Sequence, residues 1–305
     1  MENTDMKHYF VINPIAGKAN QTESLSQEIK QAFEKYSGQY EIYVSQAPGD
    51  AERYVREKVS TEPGEKTFYA CGGDGTTFEV ANGLIGAPNV HLGVIAIGSC
   101  NDLLKNFPEF DFLSVERAIN GSHKMLDVLK VNDRYSVNVI NIGFDARTNA
   151  DCCNYKKRIK KIKTAYNLAI VKNLITKMSR KIIVTGDGKP FFDGKMLLAT
   201  FANGAFYGGG YKCAPNALVD DGLMEMTVVR AVSRFKFISF IKYYKDGSYI
   251  NNPKLTDVIA YRRAQKVVIE AEKPFEVCID GENYLWQRVE IEILNKQLSF
   301  VLPRI

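Results

Sequence analysis

Four short apolar runs in the first hundred residues, alternating with stretches of helical spacing, limit this chain's possible folds more than any other feature. Tyr9-Phe10-Val11-Ile12 stops at Asn13-Pro14. Tyr40 to Val44 follows, then Thr67 to Cys71, which runs straight into Gly72-Gly73, then Leu92 to Ile97, which runs into Gly98. Between them, Leu25, Ile29, Ala32 and Phe33 fall on one face of a helix predicted over 22–36. Further helices are predicted over 50–59 and 76–84. Strands that alternate with helices pair in parallel, so the first part of the chain is expected to form a doubly wound α/β sheet. Ligands of such sheets bind beyond the carboxyl ends of the strands.

After about Leu126 the pattern changes. Strand-like stretches at 135–141, 181–185, 195–201, 222–229, 266–270 and 275–279 are separated by turns rich in glycine, asparagine and aspartate. Helical spacing interrupts them only near 156–178 and 233–245. The expectation is therefore a nucleotide-binding α/β domain over 1–126 and a mainly antiparallel β domain over 127–295, with the active site in the cleft between them. The last residues, 296–305, read as a strand able to pack back on the first domain. With 305 residues, 45% of them hydrophobic, both domains can bury a core.

Composition removes several classes of function. No stretch approaches the roughly 18 apolar residues of a membrane-spanning helix, and the polar start Met1-Glu2-Asn3-Thr4-Asp5 has no signal-peptide core, so a cytoplasmic protein is expected. The six cysteines form no CxxC pair and read as free thiols. The three histidines, His8, His91 and His123, are scattered, which argues against zinc and against a histidine-based triad. A net charge of +5 does not by itself indicate nucleic acid, and no nucleic-acid recognition motif is present.

The sharpest local signal is Gly72-Gly73-Asp74-Gly75-Thr76-Thr77, between a strand and a helix. Glycines let backbone approach a phosphate closely, and the helix start offers N–H groups and a positive dipole end. Asp74 would repel phosphate unless a magnesium ion lies between them; the plainer alternative is an Asp-Gly turn with a helix cap. A second loop, Gly98-Ser99-Cys100-Asn101-Asp102, follows the fourth strand. There Asp102 could share the metal and Ser99 could donate to phosphate, or Asn101 or Asp102 could simply cap a helix. The third loop, Asn13-Pro14-Ile15-Ala16-Gly17-Lys18, offers a cation in Lys18 but lacks the GxxxxGK[ST] string of P-loop enzymes.

Two acidic clusters lie in the second half. Ala214-Pro215 leads to Asp220-Asp221-Gly222, a tight turn that could bind a cation with backbone carbonyls or could be merely solvated. Asp280-Gly281-Glu282 follows a strand; two carboxylates there suit proton acceptance and metal support, while Asp-Gly is also a strong hairpin signal. Between Asp151 and Asp187 there is no acidic residue, and Lys156, Lys157, Arg158, Lys160, Lys161, Lys163, Lys172, Lys177, Arg180 and Lys181 all fall in that window. Ile159, Ile162, Tyr166, Ile170, Leu174 and Met178 recur at helical spacing along it. A basic amphipathic helix suits an anionic membrane surface; the alternative is a helix packed on its own domain with a solvated basic face.

Taken in order, Gly72 to Thr76, Gly98 to Asp102, Ala214-Pro215 through Asp220-Asp221-Gly222, and Asp280-Gly281-Glu282 resemble the diacylglycerol kinase catalytic-domain family, which includes soluble bacterial lipid kinases and the sphingosine and ceramide kinases. The resemblance runs from Asn13 to Glu282. It implies an ATP-dependent lipid kinase acting most often on diacylglycerol, with the ATP site lined by Asn13 to Gly17 and by Gly73 to Glu79, and with Ser99 beside it where the family carries threonine. It further implies that Asp74 and Asp102 organise catalytic Mg2+, that Asp280 is the base supported by Glu282, and that Asp221 with the carbonyls of Leu218 and Leu223 holds a structural metal. Its partners would be a membrane lipid substrate and, peripherally, an anionic membrane surface met through 156–181. Two other readings stay open: a kinase of a soluble acceptor such as NAD, and a non-catalytic lipid-binding relative.

Overall fold

A computed structural model describes residues 6–17, 21–156, 158–159, 162–176 and 179–305. Lys18, Lys157, Lys160, Lys161, Lys177 and Met178, and the side chains of Lys156, Ile162 and Lys163, lie outside what it describes. The chain divides into two compact units, Met1–Val128 with Asn295–Ile305, and Leu129–Leu294.

The first unit contains β1 (Lys7–Ile12), α1 (Gln21–Lys35), β2 (Gln39–Val44), α2 (Asp50–Thr61), β3 (Lys66–Cys71), α3 (Asp74–Leu84), β4 (Val90–Ile95), a 3-10 turn over Asp102–Asn106, α4 (Val115–Ile119) and most of β5 (Ser122–Val131). Its sheet runs β2-β1-β3-β4, entirely parallel. Ser299 and Phe300, near the carboxyl end of the chain, add a further parallel partner beside β4. Both faces of the sheet are covered, so β3 and β4 are buried along their whole length and β1 at every position but its first. On one face Phe10, Ile12, Tyr69, Cys71 and Ile95 meet Leu25 and Ile29 of α1 and Val115, Ala118 and Ile119 of α4. On the other, the Tyr9 and Phe68 rings stack at 4.5 Å. Gly83 lets α3 press on α2, since a Cβ there would stand 2.7 Å from Val55.

The second unit contains β6 (Arg134–Ser136), β7 (Val139–Gly143), α5 (Phe144–Lys156), α6 (Ile162–Ile175), β8 (Arg180–Gly186), β9 (Lys189–Ala202), β10 (Met224–Arg230), α7 (Arg234–Asp246), two 3-10 turns over Ser248–Asn251 and Pro253–Leu255, β11 (Ile259–Ala264), β12 (Lys266–Ile279) and the first part of β13 (Glu282–Leu302). The strands run β11-β10-β9-β7-β12-β13, all antiparallel, with β8 paired to both β9 and β12. Helix α7 is fixed by a Ser233 N-cap and buries Phe237, Phe240 and Tyr244 against Leu197, Leu198 and Tyr249.

Several elements depart from the sequence-based expectation. The helix expected near 156–178 is α6, Ile162–Ile175, and α5, Phe144–Lys156, which precedes it, was not anticipated. α5 closes on turn bonds from the Arg158 and Ile159 amides to the Tyr155 carbonyl (2.9 and 2.8 Å). It does so in a run of basic residues whose like charges at three- and four-residue spacing oppose a continuous helix. The strand-like stretches 266–270 and 275–279 are one strand, β12, whose register shifts between Glu270 and Phe275. β11 and the part of β13 before its expected last residues were not anticipated; the strand expected over 296–305 is the end of β13, and it pairs with β4. The alternation Val289-Glu290-Ile291-Glu292-Ile293, whose three apolar members are buried, is the signal that would have found β13.

Candidate active site

In the first unit, three strands end at one level. Ile12 is in register with Cys71, and Cys71 with Ile95, so the loops after β1, β3 and β4 leave the sheet together. Ladder bonds continue one step further, from the Asn13 amide to the Cys71 carbonyl (3.0 Å) and from the Gly72 amide to the Ile95 carbonyl (3.2 Å). The Gly98 amide then reaches the Gly72 carbonyl at 2.9 Å. These loops touch backbone to backbone. A Cβ on Gly98 would lie 2.4 Å from the Gly73 Cα, and one on Gly72 would lie 2.2 Å from the Thr76 hydroxyl. Only glycine permits that approach. α3 starts at Asp74 behind Gly73, which has no side chain to cap it. Its first-turn amides have no intrahelical acceptors, as at any helix start, and such amides are a ready site for phosphate.

Asp74 ties two of the loops together. Its carboxylate accepts the Asn101 amide (3.0 Å) and the Asp102 amide (2.6 Å). That double acceptance needs the left-handed backbone at Asn101, φ 50°, a conformation asparagine tolerates. Asp102, buried, is ion-paired to Lys105. Asn13 donates its side-chain amide to the Thr76 hydroxyl at 3.2 Å, and Thr77 donates its own hydroxyl to the Gly73 carbonyl at 3.3 Å. Pro14 and Gly17 are exposed on the first loop, Gly75 is half-buried at the start of α3, and Ser99 lies within 3.8 Å of the Cys100 sulfur. Glu79, expected to line the nucleotide site, does other work: its carboxylate takes the amides of Gly49 (2.9 Å) and Ala51 (3.1 Å) and so caps α2. The reason is the close packing of α3 on α2, which aims position 79 at the neighbouring helix start.

In the second unit, β12 and β13 are joined by a tight turn at Asp280 and Gly281, with φ 46° and 100°, flanked by the pair Ile279 and Glu282. Two positive φ values at the central residues match the hairpin that Asp-Gly favours. The Asp280 carboxylate is not idle in that turn. It accepts the Ser136 hydroxyl (2.7 Å) and the amides of Val137 (2.7 Å), Asn138 (3.2 Å) and Val139 (2.8 Å). Burial pushes its pKa up to about 6 while these four donors pull the other way. Glu282 is exposed at the start of β13, and Asn149 donates to the Gly281 carbonyl at 2.6 Å. The turn is thus gripped from two sides, by the chain over 136–139 and by α5.

Sequence reasoning missed Ser136, Asn149 and a second buried carboxyl, Asp145, which accepts the Tyr207 hydroxyl and is pushed by burial to about 6. Asp145 is the second residue of α5, just past the buried run Val139–Gly143. An acidic residue at the end of a buried strand was the available cue.

Comparison with known proteins gives these geometries a context. The diacylglycerol kinase catalytic domain matches residues 7–131, and the YegS C-terminal NAD kinase beta sandwich-like domain matches residues 138–301. A protein named diacylglycerol kinase from Bacillus subtilis is 26% identical over 298 residues, covering 96% of this chain and 95% of that protein. A protein from Salmonella paratyphi A named "Probable lipid kinase YegS" is 30% identical over 281 residues, 87% of each chain. A crystal structure of a diacylglycerol kinase from Bacillus anthracis superposes with a TM-score of 0.69 over 97% of this chain and 96% of that one, at 23% identity.

The chain belongs to the diacylglycerol kinase catalytic-domain family. As a member it is a lipid kinase, a phosphotransferase that places phosphate on an alcohol group.

Family resemblance implies two metals, and the residues fit them unequally. Among the described residues no group of three or more histidine, cysteine or acidic side chains could hold a metal by itself. Magnesium that travels with a nucleotide needs only one or two carboxylates, because phosphate oxygens and water complete its shell. Asp74 and Asp102 supply hard oxygens on two joined loops and would be the one or two carboxylates such an ion needs, with Lys105 moved off Asp102. The turn at Asp221 does not suit a cation. Register places Arg263 on β11 directly opposite Glu225 on β10. The Arg263 guanidinium ion-pairs with Asp221, and its Nε stands 2.8 Å from the buried Glu225 carboxylate. The charge that a metal would neutralise at Asp221 is already answered by an arginine. Leu218, largely exposed, and Leu223, whose amide donates to Asp221 at 3.1 Å, complete a turn that stands without an ion.

Proposed function

We propose that this lipid kinase transfers the γ-phosphate of ATP to the hydroxyl of diacylglycerol, giving phosphatidic acid, at a membrane surface. The observation that carries the nucleotide half is the Asp74 clamp. One carboxylate holds the loop after β4 against the glycine loop after β3, so that bare backbone and the start of α3 face the same ligand. The lipid half rests on family membership and on the names its relatives carry.

Phosphoryl transfer asks a protein mainly for positioning and for neutralisation of charge. The loops over 13–17, 72–77 and 98–102 would position the phosphates. Asp74 and Asp102 would hold magnesium, which neutralises charge developing on the phosphate oxygens. Proton acceptance from the lipid hydroxyl falls to the Asp280-Gly281-Glu282 turn. Sequence resemblance assigned the base to Asp280. The four donors on its carboxylate suit a positioning residue better, so the reading assigns the base to Glu282, with Asp280 fixing the turn that presents it.

The test is a panel of acceptors in mixed vesicles with ATP and magnesium, with products identified by mass spectrometry. Phosphatidic acid is the expected product. A phosphorylated sphingoid base or phosphatidylglycerol would replace the lipid assigned here, and a water-soluble phosphorylated product would remove the lipid assignment altogether.

A further inference from the structure

The described members of the apolar stripe that the sequence offered to a membrane face inward. Ile159 and Tyr166 pack against Cys152, Ala165 and Ala169, while Ile170 and Leu174 pack on the cluster that holds Phe237 and Phe240 of α7. The opposite face of α6 carries a second stripe. Leu168, Val171 and Ile175, at spacings of three and four, are all exposed, Ile175 by 72%. α7 continues this surface. Arg234 donates to the carbonyls of Leu174, Ile175 (3.2 Å) and Thr176 (3.4 Å), so the carboxyl end of α6 meets the start of α7. There Phe235, exposed by 87%, and Ile238 stand one turn apart on the outer side.

Five large apolar side chains exposed on two joined helices form a patch of the kind that marks an interaction surface. Its charge surroundings decide the occupant. No acidic residue lies between Asp151 and Asp187, and none between Glu225 and Asp246. Lys236 and Lys242 are exposed on α7 beside Phe235 and Ile238. An apolar ridge flanked by basic side chains matches the acyl and headgroup layers of an anionic bilayer, where apolar area and lysine charge contribute together.

We infer that Leu168, Val171, Ile175, Phe235 and Ile238 form a ridge that inserts into the surface of an anionic bilayer. The inference rests on the lipid-kinase reading for its choice of occupant, and it places the insertion on the outer face of α6 and α7 instead of the basic segment as a whole.

The test uses the full chain with Val171→Asp, Ile175→Asp and Phe235→Asp combined, its fold checked by circular dichroism and melting temperature. Co-sedimentation with phosphatidylglycerol–phosphatidylcholine vesicles that contain no acceptor lipid should weaken by about tenfold or more, because three apolar anchors become charged. Turnover of diacylglycerol embedded in vesicles should fall with it, while turnover of a short-chain diacylglycerol dispersed below its aggregation limit should stay at the wild-type rate. Lys236→Glu with Lys242→Glu should weaken vesicle binding chiefly at low salt. Unchanged vesicle binding by the triple variant would overturn the inference. So would sedimentation analysis in which the wild type is a dimer that the variant splits, since the ridge would then belong to a second copy. If the wild type phosphorylates no lipid yet binds vesicles through this ridge, the kinase reading fails and the docking surface stands.

Discussion

Asp280 and Glu282 sit two residues apart, yet their surroundings differ enough to separate their roles. Asp280 spends its carboxylate on a hydroxyl and three amides, whereas Glu282 is exposed beside the turn that Asp280 holds. Glu282→Gln should lower kcat by about 100-fold with an unchanged melting temperature, a loss in the range general-base removal produces. Asp280→Asn leaves one amide donor pointed at backbone N–H groups, so its melting temperature should drop as well as its rate. Steady-state kinetics and thermal melts of both variants decide this. A fully active Glu282→Gln with a stable but inactive Asp280→Asn would reverse the two roles. Asp145 offers a pH-dependent counterpart. Its pKa is raised from 3.8 to about 6 by burial, so protonation favours the folded state. That stabilisation is fully present below about pH 4 and is lost as pH rises through about 6. Asp145→Asn, which keeps a partner for Tyr207, should therefore gain melting temperature relative to the wild type as pH goes from 5 to 8. An offset that stays flat or runs the other way would contradict the assignment.

Among the elements, the β10–β11 pair carries the clearest consequence. Because Arg263 stands across from Glu225 and reaches Asp221, the turn needs no metal. The melting temperature of nucleotide-free protein should be the same with magnesium and with a chelator. Arg263→Ala should cost about 2 kcal/mol, the loss for a buried carboxylate left without its cation, reduced for the arginine's partial exposure. A saturable, chelator-sensitive stabilisation of the wild type that disappears in Asp221→Ala would show a metal there after all. This pair also shows where sequence reading stops. The parallel strands were legible because buried strands are continuous apolar runs, and the glycine loops because their spacing has few other uses. Arg263 could not be connected to Asp221 from sequence, since forty-odd residues separate them and only strand register joins them. The cap that Glu79 places on α2 was hidden for a similar reason: its proximity in sequence to the glycine loop says nothing of the neighbouring helix start. The apolar stripe over 159–178 was visible, but periodicity reports that a face is apolar and not whether it turns toward core or lipid.

For the whole molecule, both matched domains follow one another along the chain, and under the proposed function each compact unit brings its own part: loops for a phosphate donor in the first, a carboxylate turn in the second. No helix among the described residues is long and apolar enough to cross a bilayer. Under the proposed function the lipid acceptor is met at the membrane surface, which is the role given to the ridge on α6 and α7. The central claim is that the Asp74-clamped loops serve phosphoryl transfer to a lipid hydroxyl. The most direct measurement is transfer of labelled phosphate from ATP to diacylglycerol vesicles by the wild type and by Asp74→Ala, with label counted separately in the organic and aqueous phases. Magnesium-dependent label is expected in the organic phase with the wild type, and a rate lower by about 100-fold or more in Asp74→Ala at an unchanged melting temperature, the scale set by loss of a key electrostatic group. A variant within a few-fold of the wild type, or label found only in the aqueous phase, would contradict it.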